Sequence, residues 1–213
     1  NQSKTFFIYF KFCLLISIPS AVGLYILSKP IIYILFEHGA FLSNDTLYTA
    51  NVLSMFALGL PAYILTKVLV TCFFAREDTK TPLYIAIVSV VVNIILSLML
   101  IQSMRETGIA LATAISAWVN ALLLYVILKM RDNITLDSRL INHCIKTIIC
   151  SIIMGVACYY LNLTLFPHMN MYSTANNVAS LIIAIMACNI IYMTMIFMLK
   201  VLTIDELKGF IKN

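Results

Sequence analysis

The sequence predicts an all-α protein, a polytopic membrane helical bundle with six transmembrane helices in its 213 residues. Three observations carry that prediction. Hydrophobic residues make up 62% of the chain and charged residues 11%, whereas soluble domains run near half apolar and a quarter charged. The charges cut the chain into six apolar runs, each close to the roughly 20 residues that cross a hydrocarbon core as a helix. Of the 14 Lys and Arg residues, 12 fall on the face that would hold both chain ends, leaving only Lys29 and Arg105 on the other. Short cytoplasmic loops collect basic residues, so this asymmetry predicts that both ends of the chain are cytoplasmic.

The first run lies between Lys11 and Lys29, with Pro30 to Phe36 placed at the interface. The second extends from about Thr46 past Lys67 to Phe74, and the third from Leu83 to Ile101. The fourth fills the stretch between Glu106 and Lys129, the fifth about Thr147 to Phe166, and the sixth Asn177 to Leu199. Pro19 and Pro61 fall inside the first two runs, where a kink is tolerable because neighbouring helices can satisfy the freed backbone groups. There is no internal repeat. The six Cys form no C-x-x-C pair and read as small buried hydrophobes. The chain opens at Asn1 with no visible signal peptide and reads as a fragment of a longer protein.

Between the second and third runs stands the most charged stretch, Phe74-Ala75-Arg76-Glu77-Asp78-Thr79-Lys80-Thr81-Pro82. Its charges keep it in water, so it reads as a tight cytoplasmic hinge that ends one span and starts the next. Thr81 is the expected N-cap, and Pro82 the expected first helical residue, where a missing N–H costs nothing.

All nine carboxylates lie in loops or tails, so no intramembrane proton relay is expected. His38, His143 and His168 have no partner at metal-ligand spacing. No nucleophile motif, phosphate-binding Gly loop or acid pair is present. An enzyme, a metal site and a nucleic-acid partner are therefore not expected. Lys67 is the one charge inside an apolar run. Two readings stand for it: its stem snorkels to the cytoplasmic headgroups, or it faces a polar cavity and meets an anion such as a phosphate.

Two polar stripes mark the third and fourth spans. Ser89, Asn93 and Ser97 share one helix face, as do Thr113, Ser116 and Asn120. Depth counted from the short outer loop sets Ser97 beside Thr113, Asn93 beside Ser116 and Ser89 beside Asn120. Such matched stripes serve either as interhelical hydrogen bonds, helped by the small residues Gly108, Ala110, Ala112, Ala114, Ala117 and Ala121, or as a cation site built from neutral oxygens.

Several segments together resemble the MurJ/MviN lipid II flippases of the multidrug/oligosaccharidyl-lipid/polysaccharide exporter superfamily. They are Ile18 to Val22, Leu35 to Phe41, Gly59-Leu60-Pro61-Ala62, Lys67-Val68-Leu69, and Phe74 to Pro82 followed by Ile85-Ala86-Ile87-Val88, in matching order and spacing. The resemblance implies the C-terminal part of a fourteen-helix, two-lobe transporter. Residues 1–134 would be four spans of its second lobe, and 135–213 an additional two-helix unit with a cytoplasmic tail. It implies the flipping of a lipid-linked peptidoglycan precursor, of undecaprenyl-pyrophosphate type, across the bacterial inner membrane by alternating access. The other readings are a different exporter of the same superfamily (O-antigen, polysaccharide-lipid or drug) and a non-catalytic structural membrane subunit. Partners would be that lipid, membrane lipids and the N-terminal spans of the same protein. Lys67 matches a lysine typical of the family, and Arg76, Asp78, Thr81 and Pro82 carry its hinge motif. Some members bind sodium in the second lobe at positions that map onto Asn93, Ser97, the Ile109 backbone and Thr113. Ser97 stands where such members have a carboxylate, so the expectation is no resident cofactor and no sodium dependence.

Overall fold

The computed structural model describes the backbone of residues 2–132, 138–166 and 174–199, and the side chains of 9–131, 142–166 and 176–199. Six helices follow in order: α1 (Gln2–Ile26), α2 (Ser28–Phe36), α3 (Ser43–Phe74), α4 (Lys80–Asp132), α5 (Ser138–Leu165) and α6 (Thr174–Met198). The described residues contain no strand. Five of these helices are long and apolar enough to cross a membrane. The nine-residue α2 is not, at about 13 Å by the helical rise. The protein is an all-α, multi-pass membrane bundle.

α4 holds two of the expected spans. Its 53 residues are broken at Arg105, whose φ of 50° and ψ of −132° lie outside helical space. The halves 80–104 and 106–132 fold back on each other as an antiparallel hairpin, about 37 Å and about 40 Å long. Close approach at the turn requires Gly108. A Cβ placed there would stand 2.6 Å from the Leu100 carbonyl oxygen. The small residues that follow, Ala110, Ala112, Ala114, Ala117 and Ala121, are buried as the sequence predicts.

α1 is the shared element. It packs on α3 to one side and on α5 to the other, while α4 packs on α3 and α6 on α5. Three apolar clusters fill these contacts. Leu14 of α1 meets Ala62, Leu65, Ala117 and Ala121. Toward the hinge, Leu69 and Phe73 pack with Ile85, Leu124 and Leu128. Leu15 joins Cys150, Met154 and Cys158 of α5 and Cys188, Tyr192 and Ile196 of α6. The α1–α5 seam is tight at Gly155, where a Cβ would lie 2.7 Å from a Val22 methyl. All six Cys are free, and those of this seam, Cys150, Cys158 and Cys188, are buried. They pack as the small apolar side chains the sequence suggested.

α2 begins one residue after α1, across Leu27, and carries Pro30 in its first turn. The loop that follows is held by its own acids. Asp45 accepts the Leu42 backbone N–H at 2.9 Å, satisfying a donor at the start of α3, and Glu37 accepts the buried Thr46 hydroxyl at 2.5 Å. The expected boundary between 134 and 135, His168 and the tail from Lys200 onward lie outside the described residues.

Candidate functional site

The hinge between α3 and α4 is built from backbone capping. α3 ends in a pair of reversed hydrogen bonds, Asp78 N–H to the Phe73 carbonyl at 3.1 Å and Glu77 N–H to the Phe74 carbonyl at 3.0 Å. That pattern is a Schellman motif, which demands a left-handed residue just past the helix. Here that residue is Glu77, at φ 59°. Glycine is the usual occupant, since a side chain in this region is strained.

Asp78 then caps α4. Its carboxylate accepts the Thr81 backbone N–H at 3.0 Å and the Thr81 hydroxyl at 2.6 Å. The expected cap at Thr81 is thus corrected. α4 starts at Lys80, Thr81 lies inside its first turn, and Asp78 does the capping because a carboxylate three residues upstream reaches both Thr81 donors. Pro82 remains in that first turn, where N–H groups have no helical partner. From the far end of α4, Arg131 closes the arrangement with an ion pair to Asp78 and a 3.1 Å hydrogen bond to the Thr81 hydroxyl. The Thr81 hydroxyl, the Thr81 N–H and then Arg131 together hold the Asp78 carboxyl down at about 2. Arg76 is exposed in the turn.

In the hairpin the two polar stripes do meet, but in a different register from the one expected. Ser89 donates to the Ser116 carbonyl at 2.8 Å, and Asn93 Nδ2 reaches Thr113 Oγ1 at 3.5 Å. Ser89 and Asn93 each pair about one turn nearer the break at Arg105 than depth counting gave. The cause is the tight turn at Arg105, since helix continues through stretches that the sequence reading left as loop.

Asn93, Ser97, Thr113 and the Ile109 carbonyl come together as a hydrogen-bonded chain. Ser97 donates to Asn93 Oδ1 at 3.0 Å, Asn93 donates to Thr113, and Thr113 donates to the Ile109 carbonyl at 2.9 Å. The set is neutral, and Asn93 Oδ1, Thr113 Oγ1 and the Ile109 carbonyl each accept one of these hydrogen bonds. Among the described residues, no group of three His, Cys, Asp or Glu could hold a metal ion.

Lys67 stands apart from both the hinge and this chain. It is exposed on α3, one turn from the exposed Thr71, and no described residue forms a hydrogen bond or ion pair with it. Trp118, exposed on α4, donates its indole N–H to the Leu58 carbonyl of α3 at 3.0 Å. A cavity of about 360 Å³ opens between α1, α5 and α6, mostly apolar, with Leu24, Leu27, Met154 and Cys158 in its wall and Ser20 and Asn189 as its polar points.

A six-crossing bundle with this hinge and these stripes invites comparison with known membrane proteins. The family model "Lipid II flippase MurJ" matches residues 6–178. The chain belongs to the lipid II flippase MurJ family. It is 41% identical over 143 residues to a probable lipid II flippase MurJ of Rickettsia prowazekii (strain Madrid E), which is 67% of this chain and 28% of that protein. A Buchnera aphidicola (subsp. Acyrthosiphon pisum) protein with the same description matches at 32% over 200 residues, 94% of this chain and 38% of the relative. The lipid II flippase MurJ of Thermosipho africanus matches at 40% over 119 residues, 56% of this chain and 25% of the relative. The chain thus spans well under half the length of the curated MurJ relatives it matches. The MurJ match covers α1 to α5 and ends at residue 178, in the first turn of α6, so most of that helix lies beyond it.

Proposed function

We propose that the full-length protein flips lipid II, the lipid-linked peptidoglycan precursor, across the bacterial inner membrane by alternating access. The observation that carries this reading is the family match, which runs through five of the six helices of the bundle. Residues 1–134 act as part of the second lobe and 135–213 as a further two-helix unit. Both ends of the chain and the Arg76–Lys80 hinge face the cytoplasm, as the basic residues require.

Three features of the chain suit that work. Lys67 is a cation at membrane depth on a helix face left open to the rest of the protein, where it meets the pyrophosphate of the lipid as a point charge. The apolar cavity between α1, α5 and α6 accepts part of a polyisoprenoid tail. The capped hinge makes the cytoplasmic ends of α3 and α4 move together, as a lobe that rocks must. It acts as a transporter, and no resident cofactor is part of this reading. The closed Asn93–Ser97–Thr113 chain holds the hairpin together without sodium.

Replacement of the native flippase in a conditionally depleted strain tests the reading. The wild-type full-length protein sustains growth, Lys67→Arg sustains it in part, and Lys67→Gln fails at normal protein level. Growth with Lys67→Gln equal to wild type would remove Lys67 from the transport path. Failure of the wild type, with the protein in the membrane, would refute the function.

A further inference from the structure

Pro19 interrupts the hydrogen-bond ladder of α1. A proline has no N–H, so the carbonyl four residues before it, that of Leu15, is left without its helical donor. The Ile26 carbonyl has none either, because α1 ends there and Pro30 lies in the first turn of α2. Each receives a side-chain donor from a different helix. The Tyr192 hydroxyl of α6 donates to the Leu15 carbonyl at 2.5 Å, and Asn162 Nδ2 of α5 donates to the Ile26 carbonyl at 3.3 Å.

We propose that Tyr192 and Asn162 are positioning residues that pair the carbonyls left bare at Pro19 and at the end of α1, fix the course of α1 into α2, and make α1, α5 and α6 one moving body during transport. An unsatisfied carbonyl within the hydrocarbon costs several times what a satisfied one contributes. Leu15 and Tyr192 are both buried, so without the tyrosine hydroxyl the carbonyl faces a mostly apolar wall. Separation of α6 from α1 would leave the Leu15 carbonyl bare, and separation of α5 would do the same to Ile26. The movement of alternating access then falls at other seams. The apolar seam agrees, since Leu15 and Tyr192 also share one cluster and Gly155 lets α5 lie against Val22. Leu15, Pro19 and Tyr192 all line the cavity, so α1 has open space beside the proline and needs the bond to hold its course. The proposal rests on the transport reading only for its consequence, because the hydrogen-bond complementation is testable without transport.

The test is a pair of double-mutant cycles in the full-length protein, read by thermal stability and by distance. Nitroxide labels on unnatural amino acids at Tyr9 and Tyr25, exposed residues on either side of Pro19, report the course of α1. With Pro19 present, Tyr192→Phe lowers the Tm and broadens the Tyr9–Tyr25 distance distribution. In a Pro19→Ala background the alanine N–H takes the Leu15 carbonyl, and Tyr192→Phe then changes neither reading. The same cycle is run with Ser151→Ala, because the Ser151 hydroxyl lies within hydrogen-bond reach of Tyr192 and must not take its place. Asn162→Leu is compared in Pro30 and Pro30→Ala backgrounds and lowers the Tm in both, because position 30 lies in the first turn of α2 and an N–H there has no helical partner. Equal effects of Tyr192→Phe with Pro and with Ala at position 19 remove that assignment, and an Asn162→Leu protein as stable as wild type removes the other. Both results together overturn the proposal. Loss of transport with both assignments intact would fault the flippase reading alone.

Discussion

The Ser89 hydroxyl donates to the Ser116 carbonyl at 2.8 Å across 27 residues, and this bond sets the register of the α4 hairpin. The register leaves no room at the turn. Gly108→Ala would push a methyl group to 2.6 Å from the Leu100 carbonyl oxygen, a backbone atom that cannot swing away. Overpacking of this kind costs about 1–3 kcal/mol, so the variant should melt several degrees below wild type. Asn93→Ala, which removes two side-chain hydrogen bonds inside the membrane, should cost less, about 0.6 kcal/mol per bond. A Gly108→Ala protein as stable as wild type would contradict the close approach.

The closed chain Ser97–Asn93–Thr113–Ile109 predicts indifference to sodium. A ligand that binds only the folded state raises stability by RT ln(1 + [L]/Kd), and here the side chains bond one another with Ser97 in place of a carboxylate. Melting curves of the full-length wild type in matched sodium and potassium salts should coincide. A sodium-specific rise that disappears in both Asn93→Ala and Thr113→Ala would show the opposite.

At the hinge, the Asp78 carboxyl is held at about 2 in the folded protein, below the ordinary value near 3.9. A lowered folded pKa favours the native state above the unfolded pKa, and that advantage disappears as pH falls through the folded value. Wild type should therefore lose hinge stability between about pH 4 and pH 2. Asp78→Asn should flatten that acid limb while lowering stability at neutral pH, and an unchanged acid limb would contradict the assignment. Glu77→Gly should act the other way, stabilising by about 1 kcal/mol because glycine enters the left-handed region without strain.

Much of this architecture was legible in the sequence. Charges bound most of the spans, so the first four crossings were readable with Lys11, Lys29, Arg76, Lys80, Arg105, Glu106 and Lys129 at their ends, and the last two from the apolar runs Thr147 to Phe166 and Asn177 to Leu199. The paired stripes were legible too, but their register was not. It depends on Arg105, whose positive φ nothing in the local sequence announces. The Thr81–Pro82 pair looked like a helix start, and the spacing of Asp78 to Thr81 was the overlooked signal for the true cap. Glu77 hid the Schellman turn because the expected glycine is absent. The Leu15 carbonyl can be found by counting back four from Pro19, and the Ile26 carbonyl from the end of α1. Their donors, Tyr192 and Asn162, cannot, because which helix lies alongside is a matter of tertiary packing.

The basic residues predict which side of the membrane each loop faces. In a Cys-free full-length protein, Asn44→Cys should react with an impermeant thiol reagent from outside, and Ala75→Cys only after the membrane is opened. Outside labelling at Ala75 without labelling at Asn44 would invert the orientation.

The central claim is that the protein to which this chain belongs moves lipid II across the inner membrane. It is tested most directly by the fraction of lipid II that an externally added, membrane-impermeant lipid II-cleaving enzyme can destroy in intact cells. Cells whose only flippase is the full-length protein should lose most of their lipid II to the enzyme, and depletion of the protein should protect it while total lipid II rises. Equal cleavage before and after depletion would contradict the account.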